Sequence, residues 1–406
     1  MSEIKVNTIS ERTATNGVTV DGLNIKDSKL VTADSVVTSN ITDDAVTYAK
    51  IGYNANSYRN IIINGDMSLA QRATSAASIT SGGYHTVDRW QQDIDTMGTW
   101  TISQSTEVPS GQGFSKSLKY DCTTADASPA SGDKLNLQQR FEGQMLQYLK
   151  KGTSSAESTT LSFWVRSNKT GTYICELQDV DNSRSISKSY TISSADTWEK
   201  KTITFAGDTS GALDNDNARS LDVIWYLGAG SNLTSGTLNT SWNSTTAANR
   251  AVGQVNLADS TSNEWYVTGV QLEAGTSASD FEFLPHDVNL ERCMRYLQVV
   301  RNNDSGGYYT SGLTISGGTT CNFFIPLKVI PRTPFTGITV QNASGFGGTT
   351  LAVAKAATSI TFGNTSHQGV LVQLVTSGTF TANEFCYMIN SNTSTDARIF
   401  FTGAEL

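Results

Sequence analysis

The residues of this sequence best suited to chemistry lie in Leu161-Ser162-Phe163-Trp164-Val165-Arg166. Successive side chains of a strand point to opposite faces, so Leu161, Phe163 and Val165 fall on one side and Trp164 with Arg166 on the other. The next apolar run behaves alike: Tyr173, Cys175 and Leu177 share one face, and Ile174, Glu176 and Gln178 the opposite one. If the two strands pair, Trp164, Arg166, Glu176 and Gln178 make one polar and aromatic patch. Sugar recognition uses such groups, because the apolar C–H faces of a sugar ring stack on aromatic rings while its hydroxyls bond to amides, carboxylates and guanidinium groups. The same patch suits a subunit interface or the underside of a covering loop. Trp242 is a second candidate contact, since it sits among Asn239, Ser241, Asn243 and Ser244 with little nearby to bury it. Trp90, Trp100, Trp198, Trp225 and Trp265 lie in or beside strand runs and are assigned to the core.

Catalysis finds less support. His85, His286 and His367 are scattered, and the chain has neither a G-x-S-x-G elbow nor a phosphate-binding P-loop. Glycoside hydrolysis needs two carboxyl groups roughly 5 to 10 Å apart. The spaced pairs Asp93 with Asp95, Asp179 with Asp181 and Asp214 with Asp216 sit in Asn- and Ser-rich turns, where such residues shape the backbone. Cys122, Cys175, Cys293, Cys321 and Cys386 form no C-x-x-C pair and read as reduced, buried small hydrophobes. No catalytic residue and no cofactor is assigned.

The elements that must position these residues are strands. Only 16% of the 406 residues are charged, and the apolar residues come in short alternating runs, which predicts an all-β protein of two or three domains. A net charge of -8 opposes nucleic-acid binding. No run approaches the roughly 20 apolar residues of a membrane span, and Met1 to Asn7 is not a signal peptide, so synthesis in a cytoplasm is expected. Residues 59–285 form a central domain with strands at Asn60-Ile63, Thr99-Ser103, Ser117-Tyr120, Leu135-Gln139, Leu161-Ser167, Thr172-Gln178, Lys200-Phe205, Leu221-Leu227 and Trp265-Glu273. That number of strands suits a jelly-roll β-sandwich. Helical spacing predicts one helix over Phe141 to Leu149 and another over Val288 to Val300, the latter within a connector at 286–304. Residues 305–406 return to strands as a small C-terminal β domain, placed at the distal tip.

Residues 1–58 contain no Trp or Phe and carry a ten-residue repeat, Thr32-Ala33-Asp34-Ser35-Val36 to Ile41 and then Thr42-Asp43-Asp44-Ala45-Val46 to Ile51. One copy has too little apolar surface to fold alone. Identical chains wrapped together could bury the Val and Ile positions along a common axis, which makes this an extended trimerising and anchor segment. A disordered acidic tail is the alternative.

Five stretches carry a family resemblance. Ser2 to Ser10 with Gly17 to Gly22 resembles the virion-attachment segment of marine phage tail fibres. Asn60-Ile61-Ile62-Ile63-Asn64-Gly65-Asp66-Met67, Tyr84-His85-Thr86-Val87-Asp88-Arg89-Trp90 and Val267 to Gly275 look like the same class, the first and last resembling ends of carbohydrate-binding jelly rolls. Phe281-Glu282-Phe283 followed by Glu291 to Tyr296 resembles the tract that closes such a module. The resemblance implies a homotrimeric tail-fibre or receptor-binding protein of the virion tail. Residues 1–58 would join it to tail, adaptor or portal-proximal proteins, and its ligand would be host cell-surface polysaccharide. It also implies a structural calcium ion near the first and last strands, with Asp66 as a contributor. A capsid decoration fibre and a glycan depolymerase are the competing functions.

Overall fold

The computed structural model describes residues 58–302, 307–315, 318–350, 353–391 and 396–406, with short strands at 18–20, 23–26 and 29–30. Its contacts divide the chain into two units, Met1–Ser57 and Tyr58–Leu406. In the first, β1 (Val18–Val20), β2 (Leu23–Lys26) and β3 (Lys29–Leu30) form an antiparallel sheet, with Val18 opposite Ile25 and Ile25 opposite Leu30. The ten-residue repeats lie outside the described residues.

The protein is all-β. Its central sandwich comprises β4 (Ser75–Gly83), β5 (Gln91–Ser105), β6 (Ser117–Thr124), β7 (Lys134–Glu142), β8 (Thr159–Ser167), β9 (Gly171–Asp179), β10 (Arg184–Ile192), β11 (Glu199–Phe205), β12 (Arg219–Ala229), β13 (Asn243–Ser244) and β14 (Glu264–Ala274), with a one-turn helix α1 (Ser231–Thr234) after β12. Hydrogen bonding runs in the order β11-β8-β14-β6-β5-β7-β12-β9-β10-β13, with β4 along β5. Strand β5 belongs to both layers: residues 91–96 pair with β7 and residues 99–105 with β6. The change of layer occurs at Thr96 and Gly98, whose φ angles are 47° and 72°. A Cβ at Gly98 would also stand 2.8 Å from the Thr124 carbonyl oxygen, so glycine is needed on two grounds.

The inner faces meet through aromatic rings. Phe163 of β8 lies 5.7 Å from Trp225 of β12 and 5.1 Å from Tyr190 of β10, and Trp225 also meets Trp90 at 5.6 Å. Each such ring removed from water contributes about 1.5–3 kcal/mol. Trp90, Trp100, Trp225 and Trp265 are fully buried, and all five cysteines are buried and unpaired.

Three local expectations need correction. Phe141 continues β7 with its side chain in the core, and two short 3-10 turns, Gly143–Met145 and Gln147–Leu149, replace the first helix. Pairing of Phe141 with Leu221 across β12 outweighs the helical spacing. The second helix, α2 (His286–Met294), starts behind Pro285 and stops early, because Gln298 to Arg301 pair with a distant strand. Asn60 to Ile63 is no strand; side chains hold it, with Ile63 N–H donating to Gln139 Oε1 at 2.7 Å. The reading also missed β4, whose Ser- and Gly-rich run lacks clear apolar alternation, and β10, where Lys188 interrupts the alternation of Ile186, Tyr190 and Ile192.

The motif-bearing stretches knit one another. Ile61 N–H donates to Leu272 O at 2.9 Å, Val270 N–H to Gly65 O at 2.9 Å, and Trp90 Nε1 to Asn64 O at 3.0 Å. Asn64 Nδ2 reaches Leu69 O and Asp88 O at 2.9 and 3.0 Å.

The C-terminal part contains β15 (Gln298–Arg301), β16 (Tyr308–Thr314), β17 (Thr320–Pro326), β18 (Gly337–Gln341), β19 (Phe346–Thr349), β20 (Ala354–Thr365), β21 (Gly369–Thr376), β22 (Phe385–Asn390) and β23 (Arg398–Thr402). Six of them close a barrel, β16-β17-β21-β20-β19-β22, beside a small sheet β15-β23-β18. This part is clasped to the sandwich. Glu405 pairs with Arg89 and Arg72, Arg140 Nη1 donates to Leu406 O at 2.8 Å, and Arg398 donates to Gln71 O at 3.2 Å.

Two predictions follow from these buried charges. The Arg89 side chain is 1% exposed, so Glu405→Ala strands a buried cation and should lower stability by about 3–5 kcal/mol in urea unfolding. Burial raises the Asp88 carboxyl to about 6 despite the hydrogen bonds it accepts from Gln71. The folded state therefore holds this proton more tightly than the unfolded chain does. Its contribution to stability is full below the ordinary value of 3.8 and is lost as pH rises through 6, a change on the order of 3 kcal/mol. Asp88→Asn should flatten the stability profile between those pH values.

Candidate functional site

The sandwich separates the residues that the sequence grouped. Strand β8 pairs with β11 and β14, whereas β9 pairs with β10 and β12 in the other layer. Consecutive strands of a jelly roll cross between layers, so 167–171 is a crossing and not a hairpin. Trp164 and Arg166 therefore lie on the outer side of one sheet and Glu176 and Gln178 on the outer side of the opposite one.

Glu176 and Gln178 are committed to internal bonds. The Glu176 side chain has no exposed surface; both its oxygens accept from Arg250 Nε at 3.0 Å, and Tyr226 donates its hydroxyl at 2.6 Å. Arg250 Nη2 also donates to Gln178 Oε1 at 2.7 Å. Burial raises the Glu176 carboxyl above its ordinary value even beside Arg250. Ala251 and Leu233, from the segment after β12, pack with Ile174, Ile224 and Tyr226 over this face.

Trp242 is pinned as well. It is half-buried against the main core, its Nε1 donates to Ala206 O at 2.7 Å, and Lys151 Nζ stands 4.5 Å from its ring. That lysine joins Asp179 and Asp208, both nearly inaccessible, while Arg184 Nε meets Asp208 at 2.7 Å. Asp179 also accepts the Asn182 backbone N–H at 2.9 Å, so it serves a turn and an ion network together. Asp66 accepts from Ser68 Oγ at 3.0 Å and Asn289 Nδ2 at 3.4 Å. No cluster of three or more His, Cys, Asp or Glu that could hold a metal occurs among the described residues.

The outer face of β8 is different. Trp164 is half-buried and lies between Lys200 of β11 and Thr268 of β14 in the ladder, and its sheet-mates Leu161, Phe163 and Val165 anchor the strand in the core. Beside it, β14 bulges at Gly269, where φ is 61° and a Cβ would come within 2.5 Å of the Phe114 ring. Phe114 can lie against the sheet only because that position is glycine. It packs with Phe281 at 5.1 Å and Phe283 at 5.2 Å, and those two meet at 4.8 Å. Trp164, these three rings, Gln112, Lys200 and Asp280 line an open groove of ≈ 240 Å³. Phe283 is 52% exposed.

A second row adjoins it. Arg166 stands opposite Tyr266, with Cζ 5.0 Å from the ring; Lys119 Nζ is 5.6 Å away, and Trp198 meets Tyr266 edge-on at 6.1 Å. Arg166 is oriented by Asp196 at 3.0 Å. Burial raises the Glu264 carboxyl, but Lys119 and the Tyr266 hydroxyl, each at 2.6 Å, outweigh it and hold the group below its usual range. Trp198, expected in the core, is half-buried on this outer face, and its indole N–H is without a partner.

Alternation was enough to find Trp164 and Arg166. Phe114, Phe281 and Phe283 were missed as groove residues; the spacing of Phe281 and Phe283 was visible, but their meeting with a loop ring at 114 depends on the bulge at Gly269.

No protein-family model matches the chain, and no curated protein does. Among solved structures, the enzymatically active domain of tailspike protein 4 of bacteriophage CBA120 is similar at 14% identity and TM-score 0.28, over 53% of this chain and 22% of that one. The C-terminal family 22 carbohydrate binding module of Clostridium thermocellum Xyn10B matches at 9% identity and TM-score 0.28, over 55% of this chain and 99% of the module. The xylan-binding domain of Paenibacillus barcinonensis Xyn10C matches at 10% identity and TM-score 0.24, over 50% of this chain and 94% of that domain. At such scores these likenesses assign no activity to the chain.

The two predicted halves of the patch should respond differently to mutation. Glu176→Ala removes the carboxylate that pairs with the partly exposed Arg250 and accepts from buried Tyr226, and should lower stability by about 1–3 kcal/mol. Arg166→Ala breaks an ion pair whose aspartate is 58% exposed and should change stability by less than about 1 kcal/mol. Urea unfolding of both variants tests the contrast.

Proposed function

We propose that this protein binds carbohydrate without transforming it, as the adhesin of a phage tail fibre that attaches the virion to host surface polysaccharide. The groove at Trp164 carries the reading: it sets aromatic rings, Phe283 among them half in solvent, beside Gln112, Lys200 and Asp280. Ring faces would take the apolar side of a sugar, and the amide, ammonium and carboxylate its hydroxyls. A volume of ≈ 240 Å³ in an open groove is smaller than the roughly 300–1,000 Å³ of closed small-molecule pockets and suits one unit of a longer chain passing through.

Binding without hydrolysis accords with a groove lining that includes one carboxylate, Asp280, where hydrolysis uses two. The tail-fibre role rests on the resemblance of residues 2–22, 60–67, 84–90 and 267–275. Its physical support is the way 60–67, 84–90 and 267–275 close the sandwich on one another. In this reading residues 1–58 join three chains and dock them to the tail, and threefold avidity turns weak sugar contacts into lasting attachment.

Trp164→Ala and Phe283→Ala should each weaken binding to isolated host polysaccharide at least about tenfold, or 1.4 kcal/mol, in calorimetry, while leaving the melting temperature unchanged. Release of reducing ends by the purified protein would contradict the non-catalytic reading.

A further inference from the structure

The closed barrel carries a face that the sugar groove does not use. Four adjacent strands, β21, β17, β16 and β22, contain no Asp, Glu, Lys, Arg or His in a chain of net charge -8. Their outward side chains form two rows. Leu313 lies opposite Phe385, and Phe324 lies opposite Leu371, with Tyr387 in register with Ser311 in the same second row. Leu313, Phe324 and Phe385 are 50–52% exposed, and Tyr308, which closes the rows by packing on Tyr387 at 5.3 Å, is 68% exposed. Isolated apolar side chains on a surface are ordinary; a contiguous uncharged sheet face marks an interaction site.

We propose that this face packs against a neighbouring copy of the chain. Charge argues for that occupant. Two copies of an acidic chain repel, and this face lets them meet with no like-charge pair, while it gives a charged partner nothing to pair with. The ring geometry argues against a sugar: Tyr308 meets Tyr387 at 79° and Phe385 meets Tyr387 at 88°, so the rings present edges and not one flat platform. Pairing by strand addition is closed off, since the barrel leaves none of these four strands as an edge. The exposed parts of Tyr308, Phe324 and Phe385 alone offer roughly 300–400 Å², a large share of the roughly 800 Å² per partner of a stable interface. The contact is additional to any made by residues 1–58, and it does not depend on sugar binding.

The test is sedimentation of the full-length protein beside the Leu313→Asp/Phe385→Asp double variant and a Tyr308→Glu variant, with melting temperatures to confirm folding. All three positions are surface ones, so the core is left intact. The expected result is an oligomer for the parent chain and at least a tenfold shift of the dissociation midpoint to higher concentration in both variants. Trp164→Ala should keep the parent's mass, which separates this interface from the groove. A monomeric parent, or an oligomer whose mass and midpoint are unchanged in folded variants, overturns the proposal. Loss of polysaccharide binding in the double variant at unchanged mass also overturns it and would give the face to sugar instead.

Discussion

Arg89 is the residue on which the larger unit is assembled. Its guanidinium lies 3.5 Å from the Tyr296 ring, donates to Arg140 O at 2.7 Å and pairs with Glu405, all at a side chain 1% exposed. A buried cation is tolerated only where its counterion and its hydrogen bonds arrive together. The sandwich, the turn after α2 and the C-terminal tail beyond β23 must therefore reach their places jointly. Arg332 extends the clasp by donating to Ala404 O at 2.8 Å and to Asn217 O at 2.9 Å. Through these bonds the C-terminal part is held against the sandwich.

The same economy of buried polar groups decides which sheet face can meet a ligand. On the layer of β9, the outward groups Glu176, Gln178 and Tyr226 find partners within the chain through Arg250 and are closed over by the segment after β12. On the layer of β8, Arg166 and Lys119 flank Tyr266, and the groove beside Trp164 stays open. A sandwich offers two outer faces, and here one is spent on its own stability. That asymmetry turns a fold shared by many functions into a particular candidate site.

Most of the fold was legible because period-2 alternation survives wherever one face is buried: β8, β9, β12 and β14 were readable from their apolar positions. The reading failed where tertiary pairing overrode local spacing, as at Phe141, and at Val299 and Val300, which pair with Phe400 and Ile399 a hundred residues away. For the site, alternation assigned Trp164 and Arg166 to an outer face, but no local pattern says which sheet a strand joins. Glu176 was therefore placed beside Trp164 when the two belong to different layers. The family-like stretches mark something else again: Asn60, Asn64 and Trp90 close the sandwich seam and take no part in the groove.

The most direct measurement follows the seven tryptophan indole N–H resonances while oligosaccharides cut from host polysaccharide are titrated in, with Trp164→Phe used for assignment. If the outer face of β8 is the binding surface, the Trp164 signal moves in a saturable way, the partnerless Trp198 signal moves less, and Trp90, Trp100, Trp225 and Trp265 stay still. Saturable movement of the Trp242 signal alone, or binding that leaves the Trp164 signal in place, would contradict the account.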